Sequence, residues 1–163
     1  MESGAGGVRD ADGRALGRIE LAVSAVGRWS ESRHVRAEVA RRAGCDLQPS
    51  ELRLLEHFAL VAPMRISDIA DCMGIDISTA SLQLRRLRSE RLVERIRDES
   101  DLRVTLIAIT EAGRDVVARV RAARRALLAE VFAGTDAAEL DRAAEVLLRV
   151  QAHMLAGAAA PHV

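Results

Sequence analysis

The chain has no lysine, no tyrosine and no net charge over its 163 residues, and only two cysteines. All 24 of its basic residues are arginine. Codon usage in a GC-rich genome accounts for that bias together with the abundant alanine, so it is no argument for guanidinium chemistry at every site. Cys45 and Cys72 make no disulfide framework, which points to a reducing cytoplasm. No run approaches the roughly eighteen apolar residues of a membrane span, so no membrane is expected among the partners. The opening "MESGAGGVRDADG" lacks the apolar stretch of a signal peptide, and residues 1–12 read as a loose tail. There is no Gly-rich phosphate loop, nucleophile elbow or paired-carboxylate motif, so the chain does not read as an enzyme. His34, His57, His153 and His162 stand at no zinc-like spacing from the cysteines, so neither a metal nor another cofactor is expected. Internal repeats and long linkers are also missing.

What is present is a folding composition: 49% hydrophobic and 29% charged residues in a length that suits one compact unit. Leu16, Ile19, Val23, Val26 and Trp29 recur at helical spacing, which predicts one long helix over 13–43, ended by Gly44. "LQPSELRLLEHFALVAP" starts a second helix, with Pro49 at its first position and Glu51 at its third, and Pro63 closes it. "MRI" reads as extended, Ser67 as the cap of a short helix through Met73, and Gly74 as its left-handed stop. Asp76 caps the next helix, 77–90. "LVERIR" and "RVTLIAI", separated by the turn-prone "DESD", form a hairpin. Thr110 then caps a long helix to about Phe132, and Thr135 caps a last one to about Leu155.

The stretch "DISTASLQLRRLRSERLVERIR" carries the strongest functional signal. From Ile77 to Arg97 there are six arginines (85, 86, 88, 91, 95, 97) against Glu90 and Glu94, a local surplus of four. A neutral protein that binds DNA needs such a footprint. On a helical wheel of about 100° per residue, Ile77, Ala80, Leu84 and Leu87 fall within roughly 80° of one another and form the core stripe. Ser78, Leu82, Arg85 and Ser89 lie opposite, with Thr79 and Arg86 towards one flank. A short helix, a glycine turn and this helix make a helix-turn-helix, and the hairpin after it makes the winged form. Ser78, Thr79, Ser81, Leu82, Gln83, Arg85 and Arg86 would then face a major groove, with Arg97 on the wing strand. Hydroxyls and N–H groups of the first turn suit a phosphate, arginine suits guanine, glutamine suits adenine, and Leu82 suits a thymine methyl.

The sequence "ISDIADCMGIDISTASLQLRRLRSERLVERIRDESDLRVTLIAITEAGR" resembles the winged helix of the MarR family of bacterial transcriptional regulators. "STAS" opening the recognition helix, the D-x-R of Asp101 and Arg103, and "ITEAGR" carry the resemblance in that order and spacing. It implies a mainly α fold with a small β-hairpin wing, a winged helix-turn-helix over 48–110. N-terminal (13–47) and C-terminal (111–163) dimerisation helices flank it. It also implies a homodimer on a roughly palindromic double-stranded operator, usually repressing nearby genes. Arg103 would enter the minor groove, its guanidinium held by Asp101. Leu82 stands where the family often has arginine, Leu102 where a second basic wing residue is common, and Arg91 where glycine is usual. The wing tip is acidic, with Asp98, Glu99 and Asp101. Family members often bind small aromatic or phenolic anions, and Arg28, Trp29 and His57 are the candidates here for such an effector. Two rival readings stay open: a winged helix used for protein–protein contact, and a redox-sensing regulator acting through Cys45 or Cys72.

Overall fold

A computed structural model describes residues 5–98 and 100–158. They fall into two compact units, 1–124 and 125–163. The first unit holds α1 (Ala5–Glu31), α2 (Arg33–Ala43), α3 (Pro49–Phe58), α4 (Ile66–Met73) and α5 (Ile77–Ser89). The strands β1 (Val93–Arg97) and β2 (Thr105–Ile109) follow, then α6 (Glu111–Val131) as far as Arg124.

The N-terminal helix departs from expectation at both ends. Residues 5–12, expected as tail, are helical. No proline interrupts them, and adding a residue to a nucleated helix costs far less than starting one. The single helix expected over 13–43 is two, because Ser32 takes an extended backbone and its Oγ accepts the Val35 N–H at 3.2 Å. A serine that caps the following turn ends the helix before it. Gly44 stops α2 as expected, in the left-handed region.

Pro49 opens α3, and Gln48 and Glu51 form a capping box around it. This helix stops at Phe58, well before Pro63. Arg65, not Ser67, is the N-cap of α4, and Ser67 donates its hydroxyl proton to Asp68 instead. Met64, in the expected extended piece, pairs with Ile107 through two backbone hydrogen bonds of 3.2 and 2.8 Å, adding one rung to the hairpin. The hairpin itself is antiparallel, with Val93 opposite Ile109 and Arg97 opposite Thr105. Leu54, Leu55 and Phe58 of α3, Ile69 of α4, Ala80, Leu84 and Leu87 of α5, Ile107 of β2 and Val120 of α6 lie in the core of this first unit. An isolated two-stranded hairpin is marginal, and contacts of β1 with α5 and β2 with α3 supply what it lacks.

The second unit contains the end of α6, a turn at Gly134 and α7 (Ala137–Ala158). The cap of α7 is Asp136, one residue after the expected Thr135: its Oδ2 accepts the Ala138 N–H at 3.1 Å. The end of the Ala-rich tail, 159–163, lies outside the described residues. No helix among the described residues is long and apolar enough to cross a membrane.

Candidate nucleic-acid interface

The turn between α4 and α5 places α5, the helix expected to face DNA. Gly74 lies in the left-handed region, letting its N–H reach the Asp71 carbonyl and the Ile75 N–H reach that of Ala70. These two bonds close α4 and turn the chain at once. Asp76 then begins α5. Ala80, Leu84 and Leu87 point inward at 0, 2 and 0% exposure, while Leu82 is 64% exposed. Ser78, Arg85 and Ser89 are exposed as the wheel requires; Thr79, Ser81 and Gln83 are half-buried on the flanks. Ile77 is the exception. Expected in the core stripe, it is 57% exposed; the buried stripe begins at Ala80.

The first turn of α5 is already electrostatically occupied. Asp76 Oδ1 accepts the Thr79 N–H at 2.8 Å and the Ser78 hydroxyl, and Oδ2 accepts the Thr79 hydroxyl at 2.7 Å. The hydroxyls of Ser78 and Thr79, then the Thr79 amide, hold this carboxyl well below the usual carboxylate range. Both hydroxyl protons expected to meet a phosphate are thus given to Asp76. Towards a duplex, Ser78 and Thr79 offer lone pairs, and the helix dipole favours Asp76's own charge.

The arginines of α5 divide into two groups. Ser81, Arg85 and Arg88 of α5 line a recess of about 90 Å³ with Arg95 of β1, floored by Ile66, Leu84 and Ile107. None of these three arginines has a carboxylate partner among the described residues. Arg86 differs: its Nε lies 3.4 Å from Glu51 and 3.6 Å from Glu90, and its Nη2 donates to the Asp46 carbonyl at 3.4 Å. It is drawn back onto α3 rather than displayed with Arg85.

On the wing, Arg97 is exposed at the end of β1, and Leu102 at the tip is 68% exposed. Asp101 Oδ1 accepts the backbone N–H of Arg103 at 3.0 Å, and its carbonyl accepts the Val104 N–H at 2.9 Å. Asp101 therefore shapes the turn, in place of the expected grip on the Arg103 guanidinium. A carboxylate two residues before an amide meets that N–H locally, as in an Asx turn. Asp98 works similarly, its carboxyl lowered by the Ser100 hydroxyl and amide.

Where α5 ends, Arg91 takes φ 59°, in the left-handed region expected of the glycine it replaces. Its N–H reaches the Arg88 carbonyl and the Leu92 N–H that of Leu87, both at 2.9 Å. Thr110 joins this end of α5 to α6: its hydroxyl donates to the Arg91 carbonyl at 2.8 Å and accepts the Gly113 N–H at 3.1 Å. Gly113 sits so close beneath β1 that a Cβ would fall 2.2 Å from the Leu92 oxygen. The "ITEAGR" stretch is thus the hinge pin of the wing. Sequence reasoning took Thr110 as a cap but missed Gly113, whose requirement comes from a strand it does not neighbour in sequence.

The three effector candidates are less concentrated. Arg28 is exposed and Trp29 half-buried on α1, and His57 is half-buried on α3, its ring edge-on to Phe58. A groove of about 640 Å³ in the same unit is lined by Ser30, Glu31, Arg36, Pro49, Leu52, Arg53, Glu56 and Arg124, and none of the three lines it. Cys45 is half-buried and Cys72 exposed, both unpaired. Among the described residues no three His, Cys, Asp or Glu side chains stand where they could hold a metal.

Residues 47–105 match the model of the MarR family. A stretch of 77 residues is 35% identical to an uncharacterized HTH-type transcriptional regulator, YxaD, of Bacillus subtilis, covering 47% of this chain and 53% of that one. The chain thus spans about half the length of that curated relative. Among solved structures, a MarR family protein from Bacillus stearothermophilus is similar with a TM-score of 0.73 at 20% identity, over 87% of this chain and 96% of that one. S. aureus MepR bound to ethidium bromide is similar with a TM-score of 0.56 at 19% identity, over 75% and 92%. At such identities the two structures speak for the fold.

Proposed function

We propose, from the match of residues 47–105 to the MarR family model, that the chain is a homodimeric, sequence-specific regulator that represses genes beside a palindromic operator. The single observation carrying this reading is the outward ridge of α5: Leu82 is 64% exposed beside Arg85, while Ala80, Leu84 and Leu87 hold the helix from within. In a major groove, Arg85 would pair with a guanine edge, Gln83 with adenine, and Leu82 with a thymine methyl. Ser78, Thr79 and Ser81 would follow the backbone, and Arg97 and Arg103 of the wing would reach the adjacent minor groove.

Dimerisation is supported by apolar side chains left in solvent on each terminal helix. Leu16, Leu21 and Val26 of α1 and Leu147 and Leu148 of α7 are all more than half exposed. Patches of this kind call for a partner. A second copy would also double a footprint too small for tight, selective binding by one domain. Release by a small aromatic or phenolic effector completes the proposal; similarity to the ethidium-bound MepR fold supports it, and Arg28, Trp29 and His57 remain its candidates.

Selection of bound duplexes from a random pool tests the reading. A palindrome with half-sites about 10 base pairs apart, bound with steep salt dependence, is the expected result. A flat salt response on every duplex would instead favour a winged helix that docks protein, which the exposed Ile77, Leu82 and Leu102 would suit.

A further inference from the structure

Glu51 is the one charged side chain buried among the described residues, at 6% exposure. Its Oε2 accepts the Gln48 N–H at 2.9 Å, closing the capping box of α3. A cap needs an acceptor there but no charge, since glutamine serves a capping box as well as glutamate. What the charge does have is a counter-ion: Arg86 of α5, 3.4 Å away. A carboxylate withdrawn from water is tolerated when a cation and a hydrogen bond answer it, and both are present.

The guanidinium ties together more than two side chains. Through Nη2 it holds the carbonyl of Asp46, in the short joint 44–48 between α2 and α3. The other end of that joint is gripped as well, since Arg119 of α6 donates to the Ala43 carbonyl at 2.9 Å. The buried side chains that α3 and α5 otherwise contribute to the core are apolar, and apolar contacts fix a helix's position better than its rotation. A fork-shaped cation bound at two points fixes rotation. Rotation of α5 about its own axis decides where Leu82 and Arg85 point.

We infer that Glu51 and Arg86 form a tether that sets the pose of the recognition helix against the α2–α3 joint, so that Arg86 governs DNA affinity from behind the interface and not through a phosphate. The inference rests on the reading of α5 as the DNA-contacting helix. Arg86 and Glu51 are positioning residues, and Arg85, one residue away and without a carboxylate partner among the described residues, is the contact.

Three substitutions test it on the full chain: Glu51→Gln, which keeps the cap and removes the charge, Arg86→Gln, and the two together. The probes are a duplex recovered by selection from a random pool and a scrambled duplex of the same length, titrated over a range of salt. Each single change is expected to weaken the selected duplex roughly three- to tenfold. The double change should be no weaker than the worse single one, with the slope of affinity against salt unaltered throughout. A phosphate contact at Arg86 would instead lower that slope by about 0.9 in Arg86→Gln, with Glu51→Gln silent, and would overturn the inference. Additive losses in the double variant would overturn it too. Arg86→Lys covers the case in which Arg86→Gln fails to fold. Lysine keeps a phosphate contact but cannot span Glu51 and Asp46 at once, so it should stay as weak as the Gln variants; restored binding refutes the tether. If the unaltered protein binds neither duplex at low salt, the regulator reading falls and takes this one with it.

Discussion

Replacing Gly113 by alanine should destabilise the winged domain, although alanine is the better helix former. Gly113 is buried in the first turn of α6, where a Cβ would lie 2.2 Å from the Leu92 carbonyl oxygen and 2.7 Å from Ile109 Cγ1. That oxygen belongs to the backbone entering β1 and already accepts the Thr110 N–H at 3.1 Å, so it cannot swing away as a flexible side chain would. Restoring ordinary contact near 3.5 Å requires α6 and the strand to part by about 1 Å. Overpacking of this kind costs about 1–3 kcal/mol. Loosening the Thr110 bond adds about 1 kcal/mol, against a propensity gain of about 1 kcal/mol. The balance is a loss of about 2 kcal/mol. Gly27→Ala in α1 is the matched control: nothing lies within 4 Å of its Cβ position, so the same change should gain about 0.5–1 kcal/mol. Urea unfolding followed by circular dichroism reads both. A Gly113→Ala midpoint equal to or above that of the unaltered chain would refute the close approach of α6 to β1.

Arg91→Gly should raise stability by up to about 1 kcal/mol, since it removes a side chain from the left-handed region; a lower urea midpoint would contradict that backbone. Leu82→Ala should leave stability within about 0.5 kcal/mol and shift the preference at one base pair in a selection; unfolding would mean the side chain is core. Arg103→Ala should weaken operator binding severely with fold and dimer intact, and unchanged binding in a gel-shift titration would remove the wing from the mechanism. Hydrogen bonds from Arg41, then Arg42, pull the Glu38 carboxyl down to about 2 from 4.5. The unfolded chain therefore takes up this proton first, so the stabilisation is complete above about pH 4.5 and drains away towards pH 2. Glu38→Gln should flatten the acid limb of a stability–pH curve, and an unaltered limb would exclude the pairing.

Features decided within a few residues were legible before any coordinates. Asp76 and Gly74 act on amides or carbonyls no more than four positions away, as Thr110 does in capping the Gly113 N–H, and the two strands of the hairpin carry their own β-branched signal. Ser32 shows the limit of periodicity: the apolar stripe of α1 gives no warning that the backbone turns extended there. Ile77 continues a wheel pattern that is sound as geometry, but coverage depends on how far α3 and β1 reach, which no wheel contains. Arg86 fell on the DNA-facing flank by angle alone. Its actual direction is set by Glu51, on a helix two elements earlier, and a side chain as long as arginine follows its partner rather than its Cβ.

The same contrast explains how a chain with no net charge can present a basic face. Arg41 and Arg42 are answered by Glu38, Arg124 by Glu56, and Arg86 by Glu51 and Glu90. Arg85, Arg88 and Arg95, gathered between α5 and the wing, have no such partner among the described residues. Neutrality therefore holds only over the whole chain, where carboxylates elsewhere balance the cations left unmatched at this surface. At distances beyond the Debye length of about 8–10 Å the molecule offers DNA little attraction, and the acidic wing tip reduces it further. Only on contact does the field of those few arginines count. A regulator built this way would gain little from sliding on arbitrary sequence and would depend on the base contacts of α5 for its residence, so the rotation of that one helix should matter more here than in a strongly basic relative.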